Sequence, residues 1–309
     1  MDIPGKQNNR RSMIIGSTLI VLAAMGFSSK SILIKLAYSD SAAVDAITLM
    51  TLRMLFALPF FLVAAMWRSS ARPTPLTASD RLGIVVLGIL GYYLASFLDF
   101  SGLELISAGL ERLILFLYPT IVVLLTAVLY RRRIAVAQLA ALALSYAGIA
   151  FVFASDAVIT QSSNLQLGSL LVFGSAVVFA VFMTGSGHLI PRLGSRRFTA
   201  LSMSIACLAT LLHFSLSKPL TQLQVSGSIL FLGVMLALVS TVIPAFLMNA
   251  GIQRIGAART SIISAAGPVA TLLMAWAVLG ETLSLGQLAG AAMVLSGVLL
   301  VSLTKEKSA

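Results

Sequence analysis

Sixteen of the twenty-one Lys and Arg residues fall into every second gap between long apolar stretches. Lys6, Arg10 and Arg11 precede the first stretch. Arg68, Arg72 and Arg81 occupy the second gap, Arg131, Arg132 and Arg133 the fourth, and Arg192, Arg196 and Arg197 the sixth. Arg254 and Arg259 lie in the eighth, and Lys305 and Lys307 in the C-terminal tail. The other gaps hold one basic residue, Lys218. Short loops that stay in the cytoplasm keep Lys and Arg, whereas translocated ones lack them. The pattern predicts an all-α membrane protein with ten transmembrane helices and both termini cytoplasmic.

Composition agrees. Of 309 residues, 59% are hydrophobic and 10% charged, against about 25% charged in soluble domains. Ten spans of about 20 residues leave no room for a soluble domain. The expected spans are 13–36, 43–67, 82–103, 107–130, 134–154, 167–190, 197–217, 226–251, 257–279 and 284–303. The run after Arg11 reads as the first span and not as a cleavable leader. The net charge of +11 is spread over short loops beside apolar spans. It therefore points to topology and to anionic lipid headgroups, not to nucleic acid. The lone Cys207 precludes an intrachain disulfide.

The two halves resemble each other. At an offset of 149 residues SGLELISAG (101–109) lies on AGIQRIGAA (250–258), with Gly102 on Gly251, Pro119 on Pro268, Gln138 on Gln287 and Gly148 on Gly297. Gly16-Ser17 meets Gly168-Ser169 at an offset of 152. The expected units are 12–154 and 165–303, joined by the polar segment around 154–166. Each holds five spans, an odd number, so the second enters the membrane the opposite way round. Arg131–Arg133 align with Gly280-Glu281-Thr282, basic in one half and acidic in the other. Inverted repeats are a transporter architecture, because two such units can exchange shapes.

Particular residues also resemble a known family. The stretch GAARTSIISAAGPVATLLMAWAVLGETLSLGQLAGAAMVLSGVLLV (256–301) is similar to the end of an EamA-type repeat of the drug/metabolite transporter superfamily. Its marks are Pro268, the Gly280-Glu281 turn, Gln287, Gly290 and Gly297. MGFSSKSILIKLAY (25–38) resembles the family's first helix, and Arg53 fits its second. The first half departs from the pattern, with Arg131–Arg133 in place of the Gly-Glu turn. The resemblance implies ten helices around a central cavity. It also implies carriage of small polar metabolites, often export of amino acids or related compounds.

Ionisable residues inside spans are costly and default to functional candidates. Lys30, Lys35, Arg53, Asp99, Glu111 and Arg112 all lie in the first half. Arg53 is ten residues from its helix end, about 15 Å deep at 1.5 Å per residue. Arg53 and Lys30 either line the cavity and meet an anionic substrate group, or fix the fold; Lys35 reads as an interfacial residue. Asp99 and Glu111 are read either as proton-coupling groups or as ion-pair partners of Lys30, Arg53 or Arg112. Glu111 suits the first turn of its helix, whereas Arg112 is disfavoured there and needs a partner. Counted together, three cations face two acids, an excess that a substrate carboxylate would balance.

Pro119 and Pro268 are expected to kink their helices mid-span and to act as hinges, with Tyr118 beside the first as a substrate contact. His188, His213 and Asn249 are weaker candidates. Stripes of small residues along one helix face (Ala137, Ala141, Ser145 and Gly148; Gly286, Gly290 and Gly297) serve packing or a homodimer contact. A phosphate-binding G-x-x-x-x-G-K-[ST] run, a metal-site spacing and a TVGYG-like filter are all lacking. No cofactor is expected.

The sequence therefore favours a secondary transporter in a bacterial inner membrane, driven by protons or by the substrate gradient. It is expected to export amino acids or related anionic or zwitterionic compounds by alternating access. An importer or exchanger is the alternative. A membrane-embedded enzyme would want clustered His, Asp or Glu near one interface, where only Asp99, Glu111 and Arg112 gather.

Overall fold

A computed structural model describes residues 4–40, 44–66, 75–129, 164–264, 266–282 and 284–303, with scattered positions between 136 and 151. Among the described residues every regular element is helical. Six helices among the described residues are long and apolar enough to cross a membrane: Met13–Asp40, Ala46–Met66, Ala78–Leu103, Leu165–Gly187, Ser195–Ser217 and Gly227–Ile255. Gly267–Leu279 and Leu285–Gly297 are shorter apolar helices. Arg131–Arg133, the segment 152–163 and most of the fifth expected span lie outside the described residues.

In chain order the elements are α1 (Pro4–Asp40), α2 (Ala46–Met66), α3 (Ala78–Gly88), a π-turn (Ile89–Leu94), α4 (Ala95–Leu103), α5 (Ala108–Leu115) and α6 (Tyr118–Leu129). The second half has α7 (Leu165–Leu193), α8 (Ser195–Ser217), α9 (Gly227–Ala237), a π-turn (Leu238–Val242), α10 (Ile243–Ser264), α11 (Ala266–Met274), a third π-turn (Ala275–Leu279) and α12 (Leu285–Leu303). Local chemistry sets several boundaries. Thr77 and Asp80 form a reciprocal capping box at the start of α3. Ser107 caps α5 through Leu110 N–H, and Ser226 caps α9 through Ile229 N–H. Gly280 ends the α11 rod at φ +67°, a left-handed conformation that glycine adopts without a Cβ penalty.

Two expectations need adjusting. Pro119 does not sit mid-helix: it is the second residue of α6, after a turn at Phe116-Leu117. A first-turn N–H has no intrahelical acceptor, so proline starts a helix there at little cost. The described part of the Pro268 helix adjoins residue 265, which lies outside the described residues. The expected gap at 252–256 is also absent, because α10 runs on to Ser264. That stretch has no proline before Pro268 to stop it, and Ala257 and Ala258 favour helix.

The packing has a mirror logic. Helix α1 lies along α10 and α11, while α7 lies along α4 and α6, and α2 packs on α8 between them. Two close crossings occupy equivalent places. A Cβ on Gly251 would meet Ile20 at 2.3 Å and the Gly16 carbonyl oxygen at 3.3 Å. A Cβ on Gly102 would meet Val172 at 2.5 Å and the Gly168 carbonyl oxygen at 3.0 Å. The first two π-turns begin at Ile89 and Leu238, again at the repeat offset. Thr241 Oγ1 donates to the Leu236 carbonyl five residues back, at 2.8 Å, within the second of them.

Candidate functional site

Bringing α1, α2, α4 and α5 together places five of the sequence-selected ionisable residues in one cluster. Lys30 Nζ on α1 meets Asp99 Oδ2 on α4 at 2.5 Å. Their side chains are 13% and 1% exposed, so water screens the pair little. Ser31 Oγ, the next residue on α1, donates to Glu111 Oε2 on α5 at 2.5 Å. Glu111 is fully buried, and its Oε1, like Asp99 Oδ1, has no hydrogen-bond partner. The charges of Lys30, Asp99 and Arg112 all act on Glu111.

The arginines are placed differently. The Arg53 guanidinium lies over the Phe100 ring, 4.8 Å from its centroid, a cation–π contact. Arg53 is 4% exposed and its Nε has no hydrogen-bond partner. The carboxylate partner considered for it is not in contact. The Arg112 Nε is likewise buried and unpartnered. Arg112 Nη2 rests against α11, where a Cβ on Gly267 would stand 3.0 Å from it. Neither arginine is in an ion pair among the described residues.

Lys30, Arg53, Asp99, Arg112 and Tyr118 line one cavity of about 210 Å³. Glu111 is not among the lining residues. One wall is aromatic. Phe116 meets Tyr118, Tyr118 meets Phe179, Phe179 meets Phe182 and Phe182 meets Phe198, with centroids 5.9, 5.0, 5.6 and 6.1 Å apart. Gly91 in the first π-turn makes room for this wall, since a Cβ there would stand 2.2 Å from Phe182. Asn249 also lines the cavity and donates to Thr199 Oγ1 at 2.5 Å.

At the end of the bundle holding the acidic connections, polar contacts join the halves. Lys218 Nζ meets Asp45 Oδ2 at 2.6 Å, and Ser228 Oγ donates to Asp40 Oδ2 at 2.5 Å. Glu281 does more: its carboxylate accepts from Ala108 N at 2.9 Å and Gly109 N at 3.3 Å, the first two amides of α5. At the opposite, basic end Arg192 pairs with Asp80. Pro268 stands beside the site, next to Gly267, and Pro119 follows Tyr118. His213 is bonded to Tyr93, away from the charged cluster.

Sequence reasoning missed Ser31, Phe100 and the aromatic wall. Apolar aromatics in a span carry no mark that separates a cavity wall from a packed or lipid-facing surface. Glu281 had a signal, the reversal of charge against Arg132 at the repeat offset, but the atoms it caps could not be read.

With that geometry in hand, the comparisons with known proteins fit it. The chain is 32% identical over 292 residues to YcbK of Bacillus subtilis, described as an uncharacterized transporter, covering 92% of each chain. It is 28% identical to YicL of Salmonella typhimurium, described as an uncharacterized inner membrane transporter, over 74% of this chain and 76% of that one. A solved crystal structure superposes with a TM-score of 0.63 at 20% identity, covering 94% of this chain and 96% of the other, which shows the fold. The EamA-like transporter family matches residues 14–154 and 166–303, and this membrane protein belongs to that family of transporters.

Proposed function

We propose that the chain is a secondary transporter of ten helices in two inverted five-helix repeats, 12–154 and 165–303, working by alternating access. We further propose that it exports small polar metabolites, amino acids or related compounds with an anionic or zwitterionic group, across a bacterial inner membrane. The carrying observation is the pair of equivalent crossings, Gly16 and Ile20 on Gly251 and Gly168 and Val172 on Gly102, in a bundle that holds a charged cavity. Two units packed alike but oppositely oriented have exchangeable shapes. On the orientation set by the basic loops, the contacts of Asp40, Asp45 and Glu281 close the outer side. The cavity reaches towards the basic-loop end of the bundle through Ile190 near the end of α7 and Phe198 near the start of α8, a shape suited to loading from inside.

Arg53, Arg112 and Lys30 are the proposed substrate contacts, with Tyr118 on the facing wall. Asp99 and Glu111 are proposed to set the charge of the site and to exchange a proton if coupling is to protons. The test is efflux from proteoliposomes loaded with labelled amino acids and organic acids, without ATP. The expected result is saturable efflux of some of these solutes above protein-free liposomes. Efflux no faster than the protein-free control for every solute would refute the reading.

A further inference from the structure

Helix α5 opens with its donors already engaged. Ala108 N and Gly109 N donate to the Glu281 carboxylate, Leu110 N to Ser107 Oγ and Glu111 N to the Ser107 carbonyl. The positive end of a helix favours an ionised acid, but Glu281 already brings a carboxylate to this one. No amide of that turn is left for the Glu111 side chain. Its donor is the neutral Ser31 hydroxyl, 2.5 Å from Oε2.

Four helices pack on α5, namely α1, α4, α7 and α11. From α1, Lys30 is committed to Asp99, and Lys35, one turn beyond Ser31, lies in the field of Glu281. From α4 comes a second carboxyl group, Asp99, whose charge acts on Glu111. On α5 itself, Arg112 lines the cavity and rests against Gly267. Helix α11 has no charged residue, and His188 and Arg192 of α7 lie at its far end. Glu111 is thus fully buried and in no ion pair among the described residues.

A buried carboxylate served by one neutral hydroxyl, next to another carboxylate, is costly to keep ionised. Two buried oxygens also lack a protein donor, Glu111 Oε1 and Asp99 Oδ1. A solute ammonium can reach Asp99, which lines the cavity, but Glu111 stands behind the lining. A proton is small enough to serve both. On Glu111 it removes the charge, leaves Oε2 to accept from Ser31 and turns Oε1 into a donor towards Asp99 Oδ1.

We propose that Glu111 carries the proton that this carrier moves, and that Asp99 relays it to and from the cavity. This rests on the transporter reading above and deepens it: coupling is to protons, and the two acids have different tasks. In the step, the Glu111 O–H bond breaks as Asp99 Oδ1 takes the proton, and Asp99 then gives it to water in the cavity. Lys30 stays on Oδ2 throughout, and the carboxylate left on Glu111 is held by the charges of Lys30 and Arg112. Proton and solute thus occupy separate places.

The first test needs no solute. Infrared spectra of the purified protein in lipid at neutral pH should show the carbonyl stretch of a protonated carboxyl group, and Glu111→Gln should lose it. The amide keeps an acceptor for Ser31 and supplies an N–H for Asp99, so this variant should melt within about 4 °C of wild type. No such band in the wild type, a band that persists in Glu111→Gln, or a variant that fails to fold would each overturn the assignment. The second test uses wild-type proteoliposomes loaded with labelled amino acids or organic acids and a trapped pH-sensitive dye. Solute efflux should shift the lumen pH, with no such shift in protein-free liposomes. Efflux without a shift overturns the proton role while the transporter reading stands; if no solute moves, the transporter reading fails and the proton role with it.

Discussion

The Lys30–Asp99 pair can be weighed by a double-mutant cycle. Both side chains are mostly buried, and the nitrogen and oxygen are 2.5 Å apart. Removing one partner of a buried pair leaves an uncompensated charge and costs about 3–5 kcal/mol, whereas replacing both by apolar groups of similar size is close to neutral. The two single variants should not be equal. Asp99→Leu leaves a cation beside Glu111, which can partly take over as its counter-charge. Lys30→Met leaves the buried Asp99 without its counter-charge beside a second carboxyl group, Glu111, on which its charge acts, with Arg112 as the remaining nearby cation, so it should be the worse. The double variant should recover most of the loss, giving a coupling of several kcal/mol. At about 2–4 °C per kcal/mol for a chain of a few hundred residues, single variants should unfold roughly 6–20 °C lower in detergent. The double variant should unfold within a few degrees of wild type. Thermal scans of the four purified proteins read this directly. If the double variant loses as much as the two singles combined, the pair is not an energetic unit and the reading of this cluster fails.

Other outcomes follow from the acidic end of the bundle and from topology. Glu281→Ala leaves the buried Ala108 and Gly109 amides without their acceptor and should cost about 1–3 kcal/mol; Glu281→Gln keeps one acceptor and should fall between, and identical melting of all three proteins would refute the cap. For Asp45, burial raises the carboxyl pKa, but hydrogen bonds from Lys218 and Thr48 outweigh it and hold it below the ordinary value. A depressed folded-state value gives stability that is present above the unfolded value, about 3.9, and lost as pH falls through the folded one. Asp45→Asn should therefore flatten the acid-side fall in melting temperature, and an unaltered profile would refute that. Cysteine introduced at Ser162 should react with an impermeant thiol reagent in intact cells while cysteine at Arg132 should not; reversed labelling would overturn the orientation.

Much of the bundle was legible in the sequence because apolar length and loop charge follow directly from the bilayer. Spans 82–103 and 197–217 sit within helices at 78–103 and 195–217. The π-turns at Ile89 and Leu238 were not legible. One extra residue in a turn scarcely changes a hydrophobic pattern, and the close approach of Phe182 to Gly91 in the first of them is a tertiary contact that no pattern carries. Pro119 showed that its helix is interrupted, but not that Phe116 and Leu117 would form a turn joining two helices. In the site, burial made Lys30, Arg53, Asp99, Glu111 and Arg112 visible one by one, because charge is rare in spans. Which of them pair is a matter of tertiary distance. Lys30 takes Asp99, Ser31 takes Glu111, and Arg53 settles on Phe100 instead of a carboxylate.

Helix α5 has a consequence for how the two halves share energy. It is eight residues long, about 12 Å at 1.5 Å per residue, and breaks in the chain separate it from both neighbours. Its first two amides are tied to Glu281 of the other half, its Glu111 to α1, and its Arg112 to the cavity. A solute gripping Arg112 thus pulls on the same short rod that Glu281 holds. By linkage, whatever tightening the solute gives to the Glu281 contact, the contact returns to the solute in equal measure. Among the described residues the second half has no such detached rod, since α10 continues unbroken through the equivalent place. The Glu281 contact thus couples the halves through a short rod that belongs to the first.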